Sequence, residues 1–245
     1  MSPLLSWWEN LKAQFTLNFI NDNRWRYIWI GLGNTIKIAF MALILGVVLG
    51  SVIAIIRASW DKNGAEMRNG PAKAILRFFN WLCRFYLTVI RGTPVIVQVM
   101  IIYFVIFASS NNGVMIAALS FGINSGAYVA EIIRGGIMSI DNGQFEAGRS
   151  LGFNYVQTMW HIILPQAVKN VLPALGNEFI TLLKETSVAG YVGVHDLTKG
   201  GDIIRGRTYS AFMPLIAVAL IYLIMVICLE KLLGVFERKL RSSDH

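Results

Sequence analysis

Residues 38–56 read IAFMALILGVVLGSVIAII, a run whose only polar member is Ser51. As a helix it is long enough for the hydrocarbon core of a bilayer, which takes about 20 apolar residues. Two further stretches repeat the pattern: 114–133 is mostly apolar, and 211–229 carries no charge. A soluble protein cannot place several such runs in one core. Composition agrees, with 55% hydrophobic and 15% charged residues, against about 25% charged in a soluble domain.

Outward from the first run, Trp25, Tyr27 and Trp29 form an aromatic belt at its start, so the span is expected from there to about Ile56. Gly46 and Gly50 make a small-xxx-small pair suited to close helix packing. Before it, in a segment taken as 1–26, Trp8, Leu11, Phe15 and Phe19 recur at helical spacing. That fits an interfacial amphipathic helix, or equally a short piece packed on its neighbours. No cleavable signal pattern is present at this end.

The stretch Arg57 to Arg77 sets Arg57, Lys62, Arg68, Lys73 and Arg77 against Asp61 and Glu66. An excess of base beside a span marks the cytoplasmic side. A second span is expected from near Arg91 to Ala108, and a third from Val114 to Arg134. A fourth, Ala167 to Lys184, is only weakly apolar because Pro173, Gly176, Asn177 and Glu178 interrupt it. A fifth runs from Ala211 to Leu233, ahead of a basic tail with Arg238, Lys239 and Arg241. The fold class is therefore an all-α integral membrane protein of five spans, N-terminus outside and C-terminus in the cytoplasm. Lys199, Arg205 and Arg207 fall in the last outer segment, against the usual bias.

Several function classes drop out. The net charge of +8 lies beside apolar runs and reads as topology rather than nucleic-acid binding. Cys83 and Cys228 sit in apolar contexts and make no disulfide framework or metal site. Three scattered His form no ligand cluster; His161 reads as a helix-surface residue. No nucleophile motif supports an enzyme, so no catalytic or metal residue is expected.

The strongest motif is cytoplasmic. Glu146, Ala147 and Gly148 are followed after three residues by Gly152, and after nine more by Ile162, Ile163, Leu164 and Pro165. Gly152 can take a positive φ and end one helix while another begins. Leu151, Val156, Met159 and Ile163 place apolar groups at roughly helical spacing, and a short apolar-faced helix outside the bilayer needs a groove in a partner. Pro165 starts the next span, and Glu146 is read as opening the docking helix, favoured by its N-terminal dipole. The pattern resembles the E-A-A-x3-G-x9-I-x-L-P loop of binding-protein-dependent ABC importers, here over 144–165, with Gly148 in place of the second Ala.

Further stretches resemble the polar amino-acid permeases of that group. These are Arg91-Gly92-Thr93-Pro94 with Gln98; Asn124-Ser125-Gly126-Ala127-Tyr128 with Glu131 and Arg134-Gly135-Gly136; Leu164-Pro165-Gln166-Ala167; Gly176-Asn177-Glu178-Phe179-Ile180; and Leu183-Lys184-Glu185-Thr186-Ser187. The resemblance implies a type I ABC importer permease fold over 27–241 in the inner or plasma membrane. It implies a pair of permeases (a second copy or a paralogue), two separate ATPase subunits that carry ATP and Mg, and an extracytoplasmic amino-acid-binding protein. Glu146, Ala147, Gly148, Gly152, Ile162, Leu164 and Pro165 would couple to the ATPase. The chain contains no Gly-Lys dipeptide, hence no Walker A loop, so an ATP-driven system needs the ATPase on another polypeptide and no cofactor in this one.

Polar residues inside a membrane are costly and mark function. Glu178, Thr181 and Glu185 share one face of the fourth span, and Ser125, Tyr128 and Glu131 a face of the third. With Gln98 they are the candidate substrate pathway for a polar amino acid, basic or glutamine-like. Alternatively Glu131 pairs with Arg134 or Lys184 and Glu178 with another span, or Glu131 and Glu178 are ion or proton sites of a secondary transporter or channel. Lys37 and Arg91 near span ends are expected to snorkel.

Overall fold

The computed structural model describes residues 3–65 and 67–241. Glu66, one of the acids in the basic stretch, and the first two residues of the 1–26 segment lie outside the described residues. Ten α-helices follow one another: α1 (Pro3–Phe15), α2 (Trp25–Asn63), α3 (Pro71–Gly92), α4 (Val95–Ile101), α5 (Gly113–Met138), α6 (Asn142–Ser150), α7 (Tyr155–Thr158), α8 (Leu164–Glu185), α9 (Leu197–Thr208) and α10 (Phe212–Arg241). Among the described residues there is no strand.

Helices α2, α5 and α10 are each long and apolar enough to cross a membrane, and α3 with α4 and the turn after it meets the same measure only as a bent pair, at the place of the expected second span. Helix α8, at the place of the expected fourth span, is not apolar enough by that measure. Its Pro173, Asn177 and Glu178 lower its hydropathy, while Ile180, Leu182 and Leu183 are buried against protein.

The core is α2 laid against α5. A Cβ on Gly50 would stand 2.7 Å from Val129 Cγ1 and 2.8 Å from the Ala130 nitrogen, and one on Gly46 would stand 3.0 Å from Ser125 Oγ. The small-xxx-small pair thus brings two backbones together. Above this contact Ile38, Ala39 and Ala42 of α2 pack with Val99, Ala117, Phe121, Leu182 and Leu183.

The second span corrects the expectation of one helix from Arg91 to Ala108. It starts at Pro71, breaks at Thr93–Pro94 and turns by 108° into α4. Proline disfavours a helical conformation in the residue before it, and Thr93 is extended (φ −122°, ψ 147°). Gln98 closes the break: its Nε2 donates to the Ile90 carbonyl (2.7 Å) and to Thr93 O and Oγ1 (3.1 and 2.7 Å), and its Oε1 accepts from Asn124 Nδ2 (2.9 Å). The basic stretch shrinks accordingly. Helix α2 continues to Asn63, so the link to α3 is only 64–70.

The segment 185–210, which carries Lys199, Arg205 and Arg207, is structured and tightly seated. Asp196 caps α9 by accepting from the Thr198 and Lys199 nitrogens (both 3.0 Å), while the Leu197 nitrogen donates to Thr35 Oγ1 (3.0 Å). Leu197 and Ile204 are fully buried with Phe19, Ile28 and Val218. The unexpected base here is largely compensated. Lys199 and Arg205 both pair with Asp202, whose carboxyl is held below its usual range by the hydrogen bonds from Arg205 and Lys199, and Arg207 lies 5.0 Å over the Tyr27 ring. At the N-terminus the two readings divide the segment. Trp7 and Trp8 are exposed and stacked, whereas Phe19 and Asn18 are buried, Asn18 bonding Gln14 O, Ser210 Oγ and Thr208 Oγ1.

Candidate functional site

The link between the third and fourth spans folds into a compact knob. Asp141 caps α6 by accepting from the Gly143 nitrogen (2.6 Å). Glu146 is exposed and lies in the middle of α6. It does not open the helix, so the dipole argument for it fails and Asp141 takes that place. Helix α6 ends in a paired-bond cap: Phe153 N donates to Gly148 O (3.0 Å) and Gly152 N to Arg149 O (2.9 Å), with Gly152 at φ +80°. This closure needs a left-handed residue, which glycine supplies without a Cβ clash. Asn154 and Gln157 then form a capping box that starts α7. A π-helical turn, Met159–Ile163, joins α7 to α8, where Pro165 sits in the first turn.

Folding sorts the apolar residues of the motif into two sets. Ile163 is fully buried and Met159 and Ile162 pack beside it with Ile137, Phe145 and Ala167, so these anchor the knob to the span ends. Leu151, Val156 and Trp160 point away, at 71%, 71% and 68% exposure. Trp160 was not among the residues expected to dock. The signal was available, since Trp160 lies four residues after Val156 and so on the same helix face.

Gly148, the departure from E-A-A, has a local cause. A Cβ there would stand 2.6 Å from both Cγ2 and Oγ1 of Thr158, a buried side chain whose hydroxyl has no hydrogen-bond partner among the described residues. Gly148 and Thr158 therefore share one small volume. Gly148→Ala is expected to lower stability by about 1–3 kcal/mol, the usual cost of overpacking, and Gly148→Ala/Thr158→Ala to recover most of it without loss of a hydrogen bond. Melting midpoints of the detergent-purified proteins test this; an unrescued double variant would refute the shared-volume account.

Between the spans, the expected pathway residues separate into three groups. Ser125 Oγ of α5 donates to Glu178 Oε1 of α8 (2.7 Å). Among the described residues no cation lies within ion-pair distance of Glu178, whose partner is this hydroxyl. Thr181 is exposed and Glu185 half-buried on the same face of α8. Glu131, by contrast, is paired: Arg134 donates to its Oε2 through Nε and Nη2 (3.1 and 2.9 Å), Arg57 lies 4.0 Å from its Oε1, and Arg134 also reaches Asp61 (3.2 Å). Tyr128 is turned towards Arg91, 5.7 Å from its ring. Gln98 stands in the third place, its amide engaged in the α3–α4 break. Lys184 is exposed and Glu131 takes Arg134 instead. Among the described residues no cluster of three or more His, Cys, Asp or Glu is arranged to hold a metal; Cys83 is buried, Cys228 exposed, and both are free.

Comparison with known proteins gives a consistent picture. Residues 71–242 match the family described as binding-protein-dependent transport system inner membrane component. The chain is 37% identical over 221 residues to the arginine transport system permease protein ArtQ of Bacillus subtilis (strain 168), covering 89% of this chain and 94% of that one. It is 36% identical over 224 residues to the glutamine transport system permease protein GlnP of Escherichia coli (strain K12), covering 89% and 97%. Among solved structures, an amino acid ABC transporter with histidines superposes with TM-score 0.77 at 40% identity, over 87% of this chain and 94% of that one. An inward-facing MetNI methionine ABC transporter superposes with TM-score 0.73 at 18% identity over 98% and 99%, a likeness of fold.

Proposed function

The chain belongs to the family of binding-protein-dependent transport system inner membrane components, and from that premise we propose that it is the permease subunit of an ATP-driven importer of polar amino acids, with a cationic one as its preferred cargo. The carrying observation for the cargo is Glu178, a half-buried carboxylate between α5 and α8 whose partner is a hydroxyl and not a base. A carboxylate shielded from water attracts a cationic ligand group more strongly than it would in solution. Ser125 orients the carboxylate, and Thr181 and Glu185 extend the same face. The relatives divide between an arginine permease and a glutamine permease, so the charge at Glu178 is the feature on which the assignment turns.

The remaining parts follow the same reading. The chain is not itself an enzyme. ATP and Mg belong to separate ATPase subunits, and the knob at Gly148–Trp160 seats in them, with Leu151, Val156 and Trp160 as anchors. The basic 57–77 region and the knob lie in the cytoplasm, the α9 segment outside, where an amino-acid-binding protein delivers cargo to a pair of permeases in the inner or plasma membrane. A secondary transporter is disfavoured, since Glu131, one of its two candidate ion sites, sits in a cluster with Arg57, Arg134 and Asp61.

Uptake by the complete transporter in liposomes tests the cargo. Glu178→Gln preserves size and is expected to lower uptake of arginine or lysine by about tenfold or more, the scale for losing one partner of a shielded charge pair, with glutamine uptake much less affected. A variant that melts lower while its arginine-to-glutamine preference stays unchanged would refute substrate contact at Glu178.

A further inference from the structure

Among the described residues three non-glycine positions have a positive φ: Asp22, Asn23 and Tyr209. Aspartate and asparagine tolerate the left-handed region, but a bulky side chain there is an outlier. Tyr209 closes α9 at φ 54° and ψ 21°, a place that glycine ordinarily fills. The chain itself gives the ring nothing in return. It is 96% exposed, and its side chain makes no hydrogen bond or ring contact among the described residues.

The strain is held from both sides. Thr208 Oγ1 donates to Asn18 Oδ1 (2.8 Å), and Asn18 Nδ2 donates to Ser210 Oγ (3.2 Å). Asn18 is fully buried. One amide thus clasps the residues before and after Tyr209 and fixes the turn into α10. Strained backbone persists only where its surroundings over-determine it, and it gathers at functional positions. A place in the aromatic belt does not account for it, since Trp25 and Trp29 hold exposed rings out from a regular helix. Near Tyr209 in the chain, Arg205 and Arg207 are exposed, and α9 sets Lys199, Arg205 and Arg207 against Asp202 alone. A presented tyrosine with arginine close by is the composition of an interface anchor, and the surplus of base fits an acidic partner surface.

We propose that Tyr209, with Arg205 and Arg207, is a landing point for the amino-acid-binding protein, the ring entering a notch in an acidic face of that partner. The N-terminal segment, through Asn18, is the support of this landing point. The proposal deepens the importer reading and rests on it, and on the orientation that puts α9 outside; it does not depend on which amino acid is carried.

The test uses the complete transporter in nanodiscs of one lipid composition. Its own binding protein, loaded with arginine or glutamine, is titrated in while ATP hydrolysis is followed. The binding-protein concentration for half-maximal stimulation is expected to rise about 30-fold in Tyr209→Gly, the scale of one interface anchor. The melting midpoint of the same variant should stay level or rise, because glycine relieves the left-handed strain. Tyr209→Phe retains the ring and should stay within about threefold of the unaltered transporter. Arg205→Gln/Arg207→Gln should make stimulation less sensitive to added salt, since exposed charges act through a screened attraction. An unmoved half-maximal concentration in Tyr209→Gly would overturn the proposal. So would a fall in its melting midpoint alongside the lost stimulation, which would make the residue structural. Lost pairing of the permeases, or an altered lipid requirement with docking intact, would assign the ring to the second permease or to the headgroup layer instead. An unaltered transporter that its binding protein does not stimulate would remove the importer reading and this surface with it. Normal stimulation together with an indifferent Tyr209→Gly would remove the surface alone.

Discussion

A transporter carrying Trp160→Asp is expected to reach the membrane in normal amount and yet release its ATPase. Trp160 is 68% exposed on a knob whose inner side is buried, so the change costs the chain little packing of its own. It places a charge where an aromatic anchor would enter a partner groove. Such anchors are typically worth 2 kcal/mol or more, roughly 30-fold in affinity. Val156→Asp should act in the same direction, and Gly152→Val should reach the same end by another route: φ +80° is strained for a β-branched residue, so the turn that aims α7 would shift. Co-purification of the ATPase and substrate-stimulated ATP hydrolysis report both. Normal values in Trp160→Asp would remove this surface from the docking site.

The second large effect lies in the core. Gly50→Ile is expected to prevent accumulation of folded protein, because even its first carbon would stand 2.8 Å from the backbone nitrogen of Ala130, and backbone within a helix cannot move aside alone. Overpacking of this kind ordinarily costs about 1–3 kcal/mol and more where nothing can yield. Gly33→Ala on the same helix meets nothing within 4 Å and should keep the melting midpoint or raise it slightly, alanine being the better helix former. Membrane yield and melting of the two variants side by side separate close packing at Gly50 from a general intolerance of α2.

The two halves of the problem were unequally legible in the sequence. Long apolar runs are local signals, and α2, α5 and α10 are visible as such. So is the start of α8, because Pro165 follows a fixed motif. The α3–α4 bend was missed since its cause is split: Pro94 breaks the helix, but the amide that stabilises the broken state, Gln98, acts through Asn124 on another span. The same residue, read from its motif alone, was placed in the substrate pathway. Periodicity put Ser125, Tyr128 and Glu131 together, yet a step of three residues rotates the side chain by about 60° short of a full turn. Over two steps this is enough to send Ser125 to Glu178 and Glu131 to Arg134. The substitution at Gly148 was readable only as a small residue; that Thr158 fills the missing methyl is a tertiary fact.

The polarity of α8 bears on how the protein is made. A central carboxylate costs an isolated helix about 2.5–3.5 kcal/mol on insertion scales, and α8 carries Glu178 together with Pro173 and Asn177. Leaving the translocon alone, it would partition poorly into lipid. Helix α5, synthesised earlier, already presents Ser125 for Glu178 and a surface for Leu182 and Leu183. The contact implies an order of assembly: α8 enters the bilayer at lower cost once α5 is in place to meet Glu178. Errors in the third span would then surface as topological failure of the fourth, far along the chain from the residue at fault.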